Sequence, residues 1–392
     1  MAEDLRRDRL SLGLLVTDAD MGSGGVQGLS HRLLREFSQR GHSAFMCCRN
    51  YRHLPRNEVR DGYLIHRSPA TRRLFRVFNS ILYWVDGLAW LIRHRREFDV
   101  LLCQQLSGAS ILGLIAKALL GKPVVVRGTS TGERGEIQEV RRMAFSSVRL
   151  RLLRRVDHWV ALTRVMRDEI LALGVAPERI TVIPNATHLP DEVEMGPGVL
   201  RRRAELRLCH RKVAVFTGRL SSEKGLDTLL HAWALLGRDH PDVHLLILGE
   251  GGAYRNVEAD LLALRERLGL EPVVHFLGHV PNVVDYLLAS DLFVLPTRFE
   301  GMSNSLVEAM AAGMAIVTTD IPANREVIDD GVEGLLVSPD DPHALAAAIG
   351  RVLGEPGLGQ RLGAAARRRA EEVHSIGNVV DRYLDVLRGV IP

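Results

Sequence analysis

Two glutamates, Glu300 and Glu308, lie eight residues apart where a predicted strand gives way to a predicted helix. The apolar run 292–295, which is closed by Pro296, is typical of a buried strand in a parallel sheet. One carboxylate would therefore follow the carboxyl end of that strand, where open α/β sheets bind ligands. The other would lie near the amino end of the helix, whose free N–H groups and partial positive charge favour a diphosphate.

The helix is predicted from the residues that follow Glu300. Apolar side chains recur at helical spacing over 306–311, and any of the polar residues 303–305 can cap the amino end. Purely structural roles for both glutamates are also open. Ser305 and Glu308 have the spacing of a capping box, and Glu300 could be an ordinary loop carboxylate.

A second candidate site is the turn that carries Arg219 and Lys224. It follows the predicted strand 213–217 and opens the predicted helix 226–236, so both cations would lie at a strand end. Two cations at one turn can neutralise a diphosphate. A solvated basic turn without a ligand is the structural alternative.

Glycines are concentrated at 22–28, between the first predicted strand and the first predicted helix. They would let backbone N–H groups approach a phosphate, although a plain tight turn is the alternative. Their spacing does not fit the Gly-x-Gly-x-x-Gly of dinucleotide sites. Just before them, Asp18 and Asp20 have the spacing of a metal-binding Asp-x-Asp motif, but an Asp pair entering a turn is common. We therefore predict neither a metal ion nor a cofactor.

The 392 residues, 46% of them hydrophobic and 25% charged, are enough for two domains with separate cores. No window of about 18 residues is free of charges and polar breaks, and the amino terminus lacks the layout of a signal peptide. We therefore expect a cytoplasmic protein. The four cysteines show no metal spacing and are expected to be buried, reduced thiols.

Charge is distributed unevenly along the chain. Residues 1–190 contain 30 lysines and arginines against 18 acidic residues, whereas the remainder contains 21 against 29. A basic half can face nucleic acid, an anionic membrane or a phosphorylated substrate. No nucleic-acid motif accompanies the charge, so nucleic acid is not an expected partner.

Strand-like and helix-like segments alternate along the chain, which predicts parallel sheets with helices on both faces. The pattern stops in the acid-, Pro- and Gly-rich run 191–198 and then restarts, so we predict two doubly wound α/β domains. We place a first domain at 1–190, a linker at 191–203, a second domain at 204–375 and a last helix at 376–392. Other predicted elements are a helical stretch between Cys48 and Val100, a long helix from Ile137 to Arg155 and an amphipathic helix from Asn378 to Leu387.

The run Glu-Gly-Met-Ser-Asn-Ser-Leu-Val-Glu-Ala-Met-Ala at 300–311 and the Gly-Arg-x4-Lys-Gly pattern at 218–225 resemble the retaining GT-B glycosyltransferases of family 4. The glycine-rich loop is similar to one that the family places against the donor phosphates. The resemblance implies the GT-B fold, with two facing Rossmann-like domains and a cleft between them. It further implies that the last helix crosses back onto the first, acceptor-side domain.

By this resemblance the activity is transfer of a hexosyl group from a nucleotide diphosphate sugar with retention at the anomeric carbon. Glu300 would bind hydroxyls of the donor sugar and Glu308 those of the ribose. Arg219 and Lys224 would stabilise charge on the leaving diphosphate, which is expected to belong to UDP ahead of GDP. The implied catalytic residues are Glu300, Arg219 and Lys224. The implied donor-binding residues are Gly24, Gly25, Gln27, Arg219, Lys224, Glu300, Gly301, Met302, Ser303, Asn304, Ser305 and Glu308.

Two segments depart from the family pattern. In the segment 183–186, Ala186 stands where the family usually has glycine. After the predicted strand 124–126, where many relatives have a histidine, this chain has Arg127. It is our candidate for an acceptor-side residue that binds a phosphate, and a structural arginine is the alternative.

The segment 72–96 mixes apolar and aromatic residues with arginines at both ends. It could lie on the inner face of a membrane, with its arginines near lipid phosphates, or pack on the first sheet. On the membrane interpretation the acceptor is a lipid-linked sugar or a precursor of an envelope polysaccharide or exopolysaccharide, which we favour over a soluble small molecule. Other functions considered are a nucleotide-sugar epimerase of the same fold, a pyridoxal phosphate-dependent phosphorylase and an inactive binding protein.

Overall fold

The structure is a computed structural model. It describes residues 9–17, 25–50, 54–70, 76–106, 108–132, 135–143, 145–190, 197–205, 208, 211–237, 240–252 and 256–392. The chain forms two compact units. Unit 1 comprises Met1–Ala186 and Ile376–Pro392, and unit 2 comprises Thr187–Ser375.

Unit 1 is built on a sheet of strands β1 (Ser11–Leu15), β2 (Ser43–Asn50), β3 (Asn57–Arg60), β4 (Tyr63–Pro69), β5 (Val100–Gln104), β6 (Val124–Arg127), β7 (His158–Ala161) and β8 (Ile180–Val182). Among the described residues the strand order is β3-β4-β2-β1-β5-β6-β7-β8. In this order β3, at the edge, runs antiparallel to its neighbour β4, and the other described strands pair in parallel. The inner strands β5 and β6 are buried along their whole length, because a parallel sheet is covered on both faces.

The helices that join these strands are α1 (Gly25–Gln39), α2 (Arg76–Arg93), α3 (Gly108–Leu120), α4 (Glu136–Arg142), α5 (Ser146–Leu153) and α6 (Arg164–Leu171). Connections between parallel strands are right-handed. The chain moves across the sheet in one direction from β1 to β2 and in the opposite direction from β4 through β5 and β6 to β7. Hence α1 covers one face of the sheet, and α2, α3 and the α4–α5 pair cover the other.

The predicted helical stretch between Cys48 and Val100 is only partly correct, because it also contains the β3–β4 hairpin. The hairpin turn, Asp61 and Gly62, has positive φ at both residues (49° and 86°), as a type I′ turn requires. Asp-Gly is a hairpin signal in sequence. However, β3 reads Asn-Glu-Val-Arg, whose single apolar residue gives almost no strand pattern.

The single helix predicted from Ile137 to Arg155 is wrong. Phe145 adopts a left-handed conformation, with φ 58° and ψ 33°, and this separates α4 from α5. A bulky residue rarely takes this conformation, and neither glycine nor proline marks the break. Helical periodicity alone therefore could not reveal it.

Unit 2 has strands β9 (Lys212–Thr217), β10 (Val243–Leu248), β11 (Val274–Gly278), β12 (Leu292–Leu295), β13 (Ala315–Thr319) and β14 (Leu335–Val337). Its helices are α7 (Pro197–Glu205), α8 (Leu226–Leu236), α9 (Glu258–Arg267), α10 (Val283–Leu288), α11 (Asn304–Ala311), α12 (Pro322–Arg325), α13 (Pro342–Gly354) and α14 (Leu358–Arg369). The strand order is β11-β10-β9-β12-β13-β14 in the described part of the unit, and every pair in this order is parallel.

The predicted linker at 191–203 requires correction over its second half, because its last seven residues lie in α7. This helix is part of unit 2. Arg203 donates to the carbonyl oxygen of Ala289 at 3.0 Å, and Arg202 forms an ion pair with Asp285 at 3.0 Å. The first half, 191–196, lies outside the described residues.

The chain ends in α15 (Ile376–Val390), which belongs to unit 1. Its apolar side packs on α1 on the face opposite α2, with Tyr383 fully buried in the shared core. Arg40, just after α1, donates to the carbonyl oxygen of Gly377 at 3.0 Å. Within the part of the chain that the structure describes, no helix is long and apolar enough to span a bilayer.

Candidate active site

The strand order of unit 2 reverses between β9 and β12. From β9 the chain moves outward through β10 to β11, and from β12 it moves the other way through β13 to β14. Such a switch point leaves a crevice at the carboxyl ends of the two strands, because the connections that follow them diverge to opposite sides. The loop after β9 carries Arg219 and Lys224, and the loop after β12 carries Glu300.

Backbone groups meet closely at these strand ends. Gly218 N–H donates to the carbonyl oxygen of Leu248 at 2.9 Å, and Gly249 N–H donates to that of Gly278 at 2.8 Å. A Cβ on Gly249 would lie only 1.9 Å from the carbonyl oxygen of Gly218. This edge of unit 2 is therefore formed by backbone, with little side-chain bulk to keep a ligand away.

A tight contact joins the two loops that carry the predicted catalytic residues. The turn Ser222–Lys224 is a 3-10 helix, and Gly225 after it is left-handed, with φ 66°. A Cβ on Gly225 would lie 2.0 Å from the carbonyl oxygen of Pro296, which directly follows β12. Only glycine therefore allows the turn after β9 to lie against the strand end of β12.

Lys224 and Glu300 are brought together by this contact. The Lys224 Nζ donates to Glu300 Oε1 in an ion pair, and the two side chains are only 13% and 15% exposed. The ion pair is thus largely shielded from solvent, and it positions a cation and a carboxylate side by side at the switch point. The geometry thus places together two of the three residues predicted to be catalytic.

Arg298 holds the two loops in place and escaped the sequence analysis. Its guanidinium donates to Asp227 at 2.8 Å, to Asp340 at 2.5 Å and to the carbonyl oxygen of Ser222 at 2.6 Å, and its N–H donates to that of Glu223 at 2.8 Å. Burial alone would raise the pKa of Asp227, but the hydrogen bond and charge of Arg298 outweigh it and lower that pKa. The partners of its guanidinium lie 42 to 76 residues away in sequence. The sequence around Arg298 therefore gives no indication of this role.

Arg219, the third predicted catalytic residue, has a different environment. Its side chain is 62% exposed, and its contact with Glu223 is long, at 3.8 Å. An exposed guanidinium loses little hydration in such a contact. It is therefore free to turn towards an anion at the strand ends.

The start of the helix after Glu300 tests whether Ser305 and Glu308 form a capping box. Ser303 is the N-cap of α11, and its Oγ accepts from the Leu306 N–H. Glu308 thus lies five positions after the cap instead of three, so the capping-box interpretation is wrong. Of the other predicted donor-binding residues here, Gly301, Met302 and Ser303 are buried, whereas Asn304, Ser305 and Glu308 are half-buried.

Several polar atoms around these loops have no protein partner. Among the described residues, Thr217 Oγ1, Ser221 Oγ and Asn304 Oδ1 are buried without a hydrogen bond. An unsatisfied buried polar group costs about 1–3 kcal/mol. Three such groups at one strand edge favour a site that a polar ligand completes.

The glycine-rich loop can be followed only in part. Gly24, Asp18 and Asp20 lie outside the described residues. Gly25 is the first residue of α1, and Gln27 is half-buried in its first turn. The role of this loop at a phosphate therefore stays a prediction.

Arg127 lies at the carboxyl end of β6 in unit 1 and is only 1% exposed. Its guanidinium donates to Gln104 Oε1 at 2.8 Å and to Asn185 Oδ1. These side chains come from three separate segments, so Arg127 ties together the ends of β5, β6 and the chain after β8. This buried position supports the structural alternative for Arg127.

Glu136, in the first turn of α4, is a buried carboxyl that sequence reasoning missed. Its two oxygens accept from the N–H and the Oγ1 of Thr129, each at 2.8 Å. Burial raises its pKa to about 7, although the hydrogen bonds from Thr129 and the charge of Arg127 act in the opposite direction. Glu136 therefore fixes the loop after β6 and exchanges a proton near neutrality.

The described residues show no group of three or more His, Cys, Asp or Glu side chains placed to hold a metal ion. Three of the four cysteines, Cys47, Cys48 and Cys103, are free and buried, as expected. Cys209 lies outside the described residues.

The close approach of Gly225 to Pro296 can be tested against a matched glycine. Gly269 has nearly the same φ, 65°, but a Cβ there would meet nothing within 4 Å. Gly269→Ala should lower the free energy of unfolding by about 1 kcal/mol, the cost of a left-handed alanine. Gly225→Ala should cost about 2 kcal/mol more through overlap with the Pro296 carbonyl. Urea unfolding of both variants measures the difference, and equal losses would contradict the contact.

The proton of Glu136 predicts a pH dependence of stability. Since its pKa rises from 4.5 when unfolded to about 7 when folded, the folded state keeps a proton that the unfolded state releases. The contribution of Glu136 is thus fully present below pH 4.5 and is lost as pH rises through 7. The stability of the wild type relative to Glu136→Gln should fall with pH in this window, by at most about 1.4 kcal/mol per unit. Urea unfolding of both proteins at several pH values tests this, and a constant difference would refute it.

Comparisons with known proteins agree with this architecture. A family model described as "Glycosyl transferases group 1" matches residues 211–355, and one described as "Glycosyltransferase Family 4" matches residues 23–189. Together the two matches extend over most of the chain, one in each unit.

Individual relatives share 30% or less of their aligned residues with this chain in the three comparisons that follow. The alpha-D-kanosaminyltransferase of Streptomyces kanamyceticus is 25% identical over 80% of this chain and 84% of its own length. The D-inositol 3-phosphate glycosyltransferase of Corynebacterium kroppenstedtii is 30% identical over 68% of this chain, which spans only 57% of that relative. The crystal structure of Anabaena HepE in complex with UDP and glucose superposes with a TM-score of 0.79 at 19% identity, over 97% of this chain and all of that one. The fold, the two family matches and the relatives lead to one conclusion: the chain belongs to the group 1 glycosyltransferases and has the GT-B fold.

Proposed function

We propose that this glycosyltransferase transfers a hexosyl group from a nucleotide diphosphate sugar and retains the configuration of the anomeric carbon. The observation that carries the proposal is the pairing of Lys224 with Glu300 at the β9–β12 switch point, with Arg219 on the same turn. A switch point is where this kind of sheet takes its ligand. A cation beside a carboxylate fits a ligand that has a diphosphate at one end and sugar hydroxyls at the other.

The proposed roles follow the chemistry of each side chain. Lys224 and Arg219 would bind the diphosphate and stabilise the charge that grows on it as the sugar leaves. Glu300, which accepts hydrogen bonds, would hold hydroxyls of the sugar, and Glu308 those of the ribose. Because Lys224 is paired with Glu300, the diphosphate would compete with this carboxylate for the lysine. Because these cations supply the positive charge, the proposed reaction uses neither a metal ion nor a cofactor.

UDP is the proposed nucleotide, ahead of GDP. The structural relative HepE was crystallised with UDP and glucose, and its fold matches over nearly the whole chain. A base bound near these strand ends can be recognised by backbone groups, which need no characteristic side chain in the sequence.

We further propose that the acceptor is a lipid-linked sugar or another precursor of an envelope polysaccharide or exopolysaccharide. The supporting observation is the surface of α2, within the segment 72–96. Phe78, Ile81, Val85 and Ile92 are exposed at helical spacing, and Arg93, Arg95 and Arg96 follow them at one end. A helix of this composition suits the interface of an anionic membrane, where the protein would lie peripherally.

A soluble acceptor is the second candidate. The name of the Corynebacterium relative gives inositol 3-phosphate, a small phosphorylated molecule, as its substrate. The excess of basic residues in unit 1 would equally attract such an anion.

Replacing Glu300 by glutamine tests the proposed chemistry. Glu300→Gln should lower turnover by about 10²-fold or more, the usual effect of removing one preorganised group. UDP should still bind, because the diphosphate is assigned to Arg219 and Lys224. Glu271→Gln, exposed on the amino-terminal side of β11, is the control and should keep wild-type turnover. A near-wild-type rate in Glu300→Gln would remove this residue from the mechanism.

Thermal unfolding with UDP, GDP or ADP, each with and without a chelator, tests the donor class. A nucleotide at about a hundred times its dissociation constant adds about 2.7 kcal/mol to the stability of the form that binds it. We expect the largest shift with UDP, no effect of the chelator, and a smaller shift in Arg219→Ala. Arg351→Ala, an equally exposed arginine of unit 2, should respond like the wild type. Loss of the shift in chelator would overturn metal independence, and no response to any nucleotide would overturn the donor.

A further inference from the structure

Exposed apolar side chains are concentrated on one part of unit 1. Of the twelve large apolar residues that are most exposed in the described part of the chain, nine lie on α2, on α3 or between α4 and the end of α5. The nine are Phe78, Ile81, Val85, Ile92, Leu119, Met143, Phe145, Val148 and Leu152. Scattered surface apolar residues need no explanation, but a cluster of this size marks an interaction surface.

These helices form one continuous layer on the same face of the sheet. Trp84 on α2 donates its indole N–H to the carbonyl oxygen of Gly108, the first residue of α3, at 2.9 Å. Lys117 on α3 donates to the carbonyl oxygen of Arg155, just after α5, at 2.7 Å. Helix α3 therefore lies between α2 and the α4–α5 pair, and the exposed apolar residues of all three belong to the same face of the sheet of unit 1.

Phe145 is the clearest sign that this surface serves a partner. It is 81% exposed, and it adopts a left-handed conformation in which a bulky side chain is disfavoured. Asparagine or glycine would fit the same backbone without either cost. Folding alone therefore gives no reason for phenylalanine here, and strain of this kind is typically kept at functional positions.

The charges of the layer identify the partner chemically. Residues 136–155 contain six arginines against two glutamates, and residues 76–96 contain four arginines against one aspartate. Apolar side chains among arginines match the two parts of an anionic bilayer, its acyl region and its phosphates. A second copy of this chain fits less well, because a symmetric contact would bring two such basic surfaces together.

We propose that the α4–α5 pair, through Phe145 and Val148, forms with α2 a single surface that lies on an anionic membrane. In this arrangement Phe145 enters the acyl boundary, and the flanking arginines contact lipid phosphates. The proposal rests on the proposed membrane-borne acceptor and deepens it, because it adds a second contact region 50 residues or more beyond α2. Two contact regions fix the orientation of unit 1 on the membrane, which a single helix cannot do.

Vesicle flotation of the full chain tests the proposal. The vesicles are phosphatidylcholine alone or with about one third phosphatidylglycerol, and the variants are Phe145→Asn, Val148→Ser and the α2 double variant Ile81→Ser/Val85→Ser. We expect binding only to the anionic vesicles, weakened about tenfold or more by each variant. Val59→Ser is the matched control, since Val59 is exposed in unit 1 on the edge strand β3, and it should bind like the wild type.

Phe145→Asn separates a membrane role from a structural one. Because asparagine tolerates the left-handed conformation, this variant should unfold at the same temperature as the wild type or higher while binding vesicles less. Wild-type vesicle binding by Phe145→Asn and Val148→Ser, with loss only in the α2 variant, would overturn this inference alone. If the wild type binds no vesicles, the membrane-borne acceptor falls too, whereas the nucleotide response still tests the donor. A dimer that these variants dissociate, measured by light scattering, would make a second copy the partner instead.

Discussion

The contact between Gly225 and the carbonyl oxygen of Pro296 is the constraint on which the candidate site depends. It lets the turn after β9 lie directly against the end of β12, at the point where the strand order of unit 2 reverses. Any side chain at 225 would push the turn away and carry Lys224 with it. A cation from one strand end and a carboxylate from another can therefore meet only because one residue has no Cβ.

The ion pair that this contact permits is poorly explained as a device for folding. Withdrawing a lysine and a glutamate from water costs free energy that their attraction only partly returns. Arg298 adds to the arrangement by binding two aspartates and the backbone of the turn, so further hydrogen bonds hold the two loops together. Preorganisation of this kind is what a site needs if its charges are to stabilise a transition state without moving.

Much of this could be predicted from the sequence, because the signals are local. Buried parallel strands appear as apolar runs, and the residues of the 218–225 turn and of the 300–311 segment are contiguous. Arg298 and Glu136 were missed because their roles come from partners far away in sequence or from burial, neither of which a residue type reveals. The break at Phe145 was missed for a related reason: the backbone there takes a conformation that its residue disfavours.

The two units use charge in different ways. Unit 2 has 19 lysines and arginines against 27 acidic residues, yet it carries the proposed site for an anionic diphosphate. The net negative charge of unit 2 would repel such a ligand at long range. Binding therefore has to come from a few cations and backbone N–H groups at short range. Unit 1 has the opposite excess, and much of it lies on α2 and around α4–α5. A charge spread over a surface acts at long range on an extended anionic partner, whereas a charge fixed at a strand end selects a small ligand. On the proposed function, the acidic unit is therefore suited to recognise the donor, and the basic unit to bring the enzyme to the proposed membrane-borne acceptor.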